Sequence, residues 1–269
     1  MQTTFIGGGN MAQALIGGLV ARGTHPGRLL VVEQHADTRA HLQTTWPGLQ
    51  VQADMDETAA RAGVIVLAVK PQQLRGVAEA LAPWLDDQLV LSIAAGVRTA
   101  VLSAWLDDYP RLVRAMPNTP AMVGEGVTGL FAMAGVSATH REMARQIMLA
   151  AGSAFWLEQE SDMDAVTAVS GSGPAYVFYF MEAIEQAAQD LGLSPELARE
   201  LVLATFAGAS ALLRASGDTP SVLRERVTSP GGTTESALNS MRAADVSQAI
   251  RRAVEAAADR SRELGAMLQ

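Results

Sequence analysis

The chain has 269 residues, 49% apolar and 18% charged, which is long enough for two domains with buried cores and too apolar for intrinsic disorder. A net charge of −8 without any basic stripe argues against a nucleic-acid partner. No apolar run reaches membrane-spanning length, the N-terminus reads without a signal peptide, and the absence of cysteine removes disulfides, thiolate chemistry and Cys-based zinc. Of 20 basic residues only Lys70 is lysine, an arginine bias that points to a GC-rich coding sequence and a bacterial cytoplasm.

From the N-terminus, β-rich apolar runs at 3–6, 29–33, 64–69, 89–93, 112–115, 126–132 and 154–157 alternate with helix-period segments at 11–22, 38–45, 55–62, 72–84, 99–106 and 138–151. This alternation predicts an α/β fold, with a mostly parallel sheet covered by helices on both faces and a Rossmann-type dinucleotide-binding domain over 1–160. A polar bridge at 159–162 ends the pattern. Beyond it the 3.6 period governs 163–170, 174–191, 195–215, 220–228, 232–242 and 245–267, which predicts an all-α C-terminal domain over 161–269. Ser194-Pro195 there reads as an N-cap followed by proline at the first helical position.

The first candidate site is "TFIGGGNMAQALIGGL", a strand, a glycine turn and a helix. Gly7, Gly9 and Ala12 fit G-x-G-x-x-A, with the turn made by Gly7, close backbone approach to a pyrophosphate at Gly9, and tight helix packing at Ala12. The helix start near Asn10 favours the phosphate charge. Glu33, at the end of the second strand, is where an acidic residue grips the ribose 2′-OH of NAD and repels a 2′-phosphate. Gln34, His35 and Arg39 follow closely and can receive such a phosphate, so the choice of nucleotide stays open.

Three further strand ends carry ligand-site features. "VIVLAVKP" runs into Lys70, "LSIAAGV" ends in Ala94-Ala95-Gly96, and "VRAMPNTP" ends in Asn118. Small residues admit a flat nicotinamide ring, and Asn118 is suited to bond a carboxamide or ribose, or else its own loop. In the helical half, "VTSPGGTTESAL" sets Pro230 and two glycines before a helix starting near Thr233. Bare N–H groups and the helix dipole make a carboxylate-sized anion site there, with hydroxyls from Ser229, Thr233 and Thr234 around it. "SGSGPAYVFYF" opens the longest helix, and its Tyr176, Phe178 and Phe180 read as core or interface.

The inventory of strong acids and bases is poor. None of His25, His35, His41 and His140 falls at a strand end or in the helical half, no Tyr has Lys four residues on, and no His and carboxylate cluster suggests a metal. Such a site suits reduction of an imine, whose nitrogen is protonated near neutral pH, so that positioning matters more than a strong acid.

Six motifs in order, "IGGGNMAQALIGGL", "LAVKP", "SIAAGV", "RAMPNTP", "SGSGPAYV" and "VTSPGGTTESAL", make the chain resemble pyrroline-5-carboxylate reductase over essentially its whole length. The resemblance implies hydride transfer from NADPH or NADH to 1-pyrroline-5-carboxylate, giving L-proline. It implies a cofactor site lined by Gly7, Gly8, Gly9, Asn10 and Met11, by Ala68, Val69, Lys70 and Pro71, and by Ala94, Ala95 and Gly96. Ser229, Gly231, Gly232, Thr233 and Thr234 match the loop holding the substrate carboxylate, and Thr234 matches the threonine that bonds the imine nitrogen. The helical domain is implied to form an intertwined homodimer, with a pentamer of dimers as the larger assembly and substrate bound between one subunit's nucleotide domain and its partner's helices. Two departures, Glu33-Gln34-His35 after the second strand and Met55 where many members have Asn, leave nucleotide preference open. A hydroxy-acid dehydrogenase would place a lysine in the helical domain, which has none, and a dinucleotide sensor would have no use for Ser-Pro-Gly-Gly-Thr-Thr.

Overall fold

The computed structural model describes residues 2–267. Two compact units account for them: one runs to Ser172 and takes in the chain from Ala257 onward, the other is Gly173–Ala256.

The first unit is built on eight strands: β1 (Thr3–Ile6), β2 (Leu29–Val32), β3 (Gln50–Gln52), β4 (Val64–Leu67), β5 (Leu89–Ser92), β6 (Leu112–Met116), β7 (Gly126–Ala132) and β8 (Gly152–Trp156). They form one sheet in the order β3-β2-β1-β4-β5-β6-β7-β8. All neighbours are parallel except β6 and β7. Strand order therefore reverses between β1 and β4, which opens a crevice at their carboxyl ends.

Helices cover both faces: α1 (Asn10–Ala21), α2 (Ala36–Thr45), α3 (Glu57–Ala60), α4 (Pro71–Leu81), α5 (Thr99–Trp105) and α6 (Ala138–Leu149). The central strands are buried on both faces, and β2 and β4 are accordingly unbroken apolar runs. Side chains alternate across the sheet, so Val64 and Val66 pack with Leu15 and Ile16 of α1 and Ile147 of α6. Ile65 and Leu67 pack on the opposite face with Leu74, Ala78 and Leu81 of α4 and Leu102 of α5.

The expected strands and helices lie where the sequence pattern predicts them to within a few residues, with one addition. β3 is a three-residue edge strand with glutamine at both ends, held by its parallel register with Leu30–Val32. Compactness divides the chain at Ser172 rather than at residue 160. The reason is packing: α7 (Asp162–Val166) and a π-turn at Thr167–Gly171 stay with the sheet, Met163 and Ala168 being fully buried. The end of the last helix joins the same unit, where Ser261 Oγ donates to Asp164 Oδ1 at 2.7 Å.

The second unit holds α8 (Gly173–Asp190), α9 (Pro195–Ser216), α10 (Pro220–Arg226), α11 (Thr233–Ala243) and the first half of α12 (Val246–Met267). Ser194 and Thr219 cap α9 and α10 as N-cap residues ahead of proline at the first helical position. This unit buries Ala198 and Val202 of α9 but leaves many large apolar residues outside. α8 buries no residue, and Phe178 and Tyr179 are 63% and 72% exposed. Leu201, Leu203 and Leu212 of α9 are exposed as well. Among the described residues no helix is long and apolar enough to cross a membrane.

Candidate active site

The glycine turn sits at the reversal of strand order. Gly7 N–H donates to Val32 O at 2.8 Å, and Ala68 N–H donates to Ile6 O at 2.8 Å, so the end of β1 is laced to both neighbours. Gly7 has φ +102°, and a Cβ there would lie 2.6 Å from Ala68 O. Only glycine lets the two strand ends approach this closely. Gly9 is the N-cap of α1 in extended conformation, and no side chain caps the helix. A Cβ on Gly9 would meet nothing within 4 Å. The first N–H groups of α1, beginning at Asn10 and Met11, thus start beside open space, and a pyrophosphate fits that cradle.

Glu33 reaches this turn from the end of β2. Its Oε2 accepts from Gly8 N–H at 2.9 Å and its Oε1 from His35 N–H at 2.8 Å. Gln13 Nε2 donates to Gly8 O at 2.8 Å, which fixes the turn from the α1 side. Arg39 Nη1 donates to the carbonyls of Glu33 and Gln34 at 2.9 and 2.7 Å.

Two more strand ends join the first. Ala68 and Val69 follow β4 and lead to Lys70, the exposed N-cap residue of α4, with Pro71 opening the helix. Among the described residues Lys70 has no ion-pair partner. Ala94, Ala95 and Gly96 follow β5, and Gly96 has φ +82°. β1, β4 and β5 are adjacent and parallel, so Gly7–Met11, Ala68–Pro71 and Ala94–Gly96 share one end of the sheet.

Asn118 differs from its expected use as a cofactor ligand. It is 7% exposed, its Nδ2 donates to Ser170 O at 2.9 Å, and its Oδ1 accepts from Val127 N–H at 2.8 Å. Both ends of the amide are spent inside the protein, where they tie β7 and the π-turn to the end of β6. This is the loop-bonding role that the residue type also allows.

A buried ionic cluster had no signal in the sequence reading. Glu160 Oε1 accepts from Thr99 N–H at 2.7 Å and from Arg114 Nη1 at 3.1 Å, and its Oε2 accepts from Thr99 Oγ1 at 2.8 Å. Arg114 is 5% exposed, so it depends on this carboxylate for its charge pairing. The cluster clamps the start of α5, which leaves the Ala94–Gly96 loop.

In the second unit, α11 begins at Thr233 as expected, with Gly232 as its N-cap and no side-chain cap. Gly231 has φ +71°, a left-handed turn that glycine makes without strain. Gly232 N–H donates back to Ser229 O at 3.0 Å, and Glu235 Oε2 accepts from Gly231 N–H at 2.8 Å. Glu235 was not foreseen, although a glutamate at the third helical position is a known signal for such a reach-back. Ser229, Gly231 and Thr233 are exposed, while Gly232 and Thr234 are half-buried. The turn collects hydroxyls and a helix N-terminus over a few residues, an arrangement suited to a carboxylate.

Residues 160–264 match the family described as pyrroline-5-carboxylate reductase dimerisation, and residues 2–96 match that described as NADP oxidoreductase, coenzyme F420-dependent. The chain is 46% identical over 265 residues to the pyrroline-5-carboxylate reductase of Pseudomonas aeruginosa, covering 98% of this chain and 97% of that protein. It is 40% identical to the Haemophilus influenzae enzyme of the same name, covering 97% and 96%. Among solved structures, a pyrroline-5-carboxylate reductase from Coxiella burnetii superposes with a TM-score of 0.93 at 40% identity, covering 98% of each chain. The Plasmodium falciparum enzyme, solved with NADP bound, gives 0.86 at 31% identity, also over 98% of each. The chain belongs to the pyrroline-5-carboxylate reductase family.

Proposed function

We propose that this chain reduces the C=N bond of 1-pyrroline-5-carboxylate to L-proline with NADPH or NADH, the last step of proline biosynthesis. The observation that carries the reading is the turn before α11, a helix N-terminus with no side-chain cap, flanked by Ser229, Thr233 and Thr234. The reduced nicotinamide supplies a hydride to the imine carbon. The protein's share is positioning. Gly7, Gly8, Gly9, Asn10 and Met11 hold the pyrophosphate, while Ala68–Pro71 and Ala94–Gly96 line the dinucleotide. Ser229, Gly231, Gly232 and Thr233 form the turn that holds the substrate carboxylate, the two glycines shaping it while the first N–H groups of α11 and the hydroxyls of Ser229 and Thr233 act as donors. The ring nitrogen takes its proton from solvent before the hydride arrives, and the Thr234 hydroxyl bonds that nitrogen as it becomes an amine. No strong acid is required, because a ring imine takes up a proton near neutral pH.

Residues 161–269 act as the substrate-binding and dimerisation domain. The exposed Phe178, Tyr179, Leu201 and Leu203 support a second copy of this chain as the cover for these helices. A pentamer of such dimers is the larger assembly we assign, and the cytoplasm its compartment. The test mixes purified protein with pyrroline-5-carboxylate and reduced nicotinamide and follows loss of the nicotinamide absorbance and gain of proline. Sedimentation of the same sample reads the assembly. Oxidation of the cofactor with proline formed supports the reading; cofactor binding with no turnover refutes it.

A further inference from the structure

We propose that Glu33 makes this chain select NADH over NADPH. The inference rests on the reading that the Gly7–Met11 turn holds a nicotinamide dinucleotide. Glu33 directly follows β2, which lies next to β1 in the sheet, and the strand end beside the glycine turn is where the adenosine ribose lies in this fold. The carboxylate is not a free surface acid. Gly8 N–H holds one oxygen at 2.9 Å and His35 N–H holds the other at 2.8 Å. One anchor is the cofactor turn itself, and the other is the start of the connection to α2. A carboxylate has about four acceptor positions, so two remain for the hydroxyls of a ribose. A 2′-phosphate instead brings about −1.5 to −2 charges against an anion whose side chain is tied at both oxygens. Swinging Glu33 aside would also leave the Gly8 N–H without its acceptor.

The cationic side chain at this turn is Arg39. Its Nη1 serves the carbonyls of Glu33 and Gln34 at 2.9 and 2.7 Å. Arg39 therefore folds the turn that presents Glu33. His35 contributes its backbone N–H to the same carboxylate. The groups at the turn able to offset Glu33 for a phosphate are the Arg39 guanidinium, whose Nη1 is already engaged on two carbonyls, and the His35 side chain.

The experiment titrates the full-length protein with NADH and with NADPH, without imine, and reads nicotinamide fluorescence. Steady-state kcat/KM with each nucleotide is the second readout. The unmodified protein is expected to bind NADH about tenfold or more tightly than NADPH. Glu33→Gln is expected to narrow that ratio about tenfold, chiefly through tighter NADPH, since its amide oxygen still accepts an N–H without the charge. Circular dichroism establishes that the variant is folded, and the ratio for the unmodified protein decides the direction of preference by itself. Equal affinities, or tighter NADPH, overturn the proposal. If tighter NADPH is then lost in Arg39→Ala, the guanidinium and not Glu33 governs the 2′ position. Binding of neither nucleotide overturns the proposal together with the dinucleotide reading. NADH preference without proline formation leaves the role of Glu33 standing and refutes the substrate alone.

Discussion

The molecule has two glycine turns that each open a helix without a side-chain cap, one before α1 and one before α11. The first is locked by its own chain: Gly7 is hydrogen-bonded to β2, lies against the backbone of β4, and has Glu33 bound to its neighbour Gly8. The second closes only on itself, through Ser229 O and Glu235, in a unit that leaves Phe178, Tyr179 and Leu203 in solvent. The contrast teaches that an anion cradle needs rigid support as well as free N–H groups. A parallel sheet supplies that support within one chain, whereas the helical unit does not supply it to the second turn within one chain.

Breaking the first turn should do most. Gly7→Ala puts a Cβ 2.6 Å from Ala68 O at φ +102°, so the strand ends must part. A loss of about 2 kcal/mol or more in urea unfolding is expected, with NADH binding lost by fluorescence titration. In the second turn, Thr234→Ala should lower kcat about 10²-fold while leaving NADH affinity unchanged, because one donor to the developing ring amine is gone. Unchanged turnover would remove Thr234 from the chemistry. Gly232→Val should raise the KM for pyrroline-5-carboxylate about tenfold, again sparing NADH, since its Cβ is directed 3.0 Å from Ser229 O and crowds the carboxylate position. An unaltered KM would move the carboxylate elsewhere.

The smallest effect comes from a helix start that is capped. Asp56 accepts from Ala59 N–H at 2.8 Å, and that bond, followed by one from Gln52, holds its carboxyl below the ordinary value of 3.8. A lowered folded-state value means stability that is present above the ordinary value and lost as pH falls through the folded one. Asp56→Ala should therefore lower Tm slightly at neutral pH, and the difference should shrink in acid. Activity at saturating nucleotide should change little.

The sheet was legible because its buried strands are short, largely apolar runs with glycine or proline soon after them, as in Val64–Leu67 before Lys70-Pro71. β3 was not legible, because Gln50-Val51-Gln52 has no apolar period and exists through its neighbour β2. Helix starts at Asn10, Pro71 and Thr233 were readable within a residue or so from local glycine and proline. The partners of Asn118 were not, since Ser170 lies 52 residues away in sequence. Glu160 looked like part of a polar bridge, and only the fold brings Thr99 and Arg114 to it. The roles given to Thr233 and Thr234 came from resemblance; the residues alone say anion and hydroxyl.

Lys70 stands exposed, where the strand beside the cofactor turn ends, and is the chain's one lysine. An amine-directed label therefore has a single side chain to find in each subunit besides the N-terminal amine, and it lies at the strand end beside the glycine turn. A dye attached there reports occupancy of the crevice without engineering, and a mass shift counts labelled side chains directly. The arginine bias of the rest of the surface turns an ordinary protein into one with a built-in chemical handle at its candidate site.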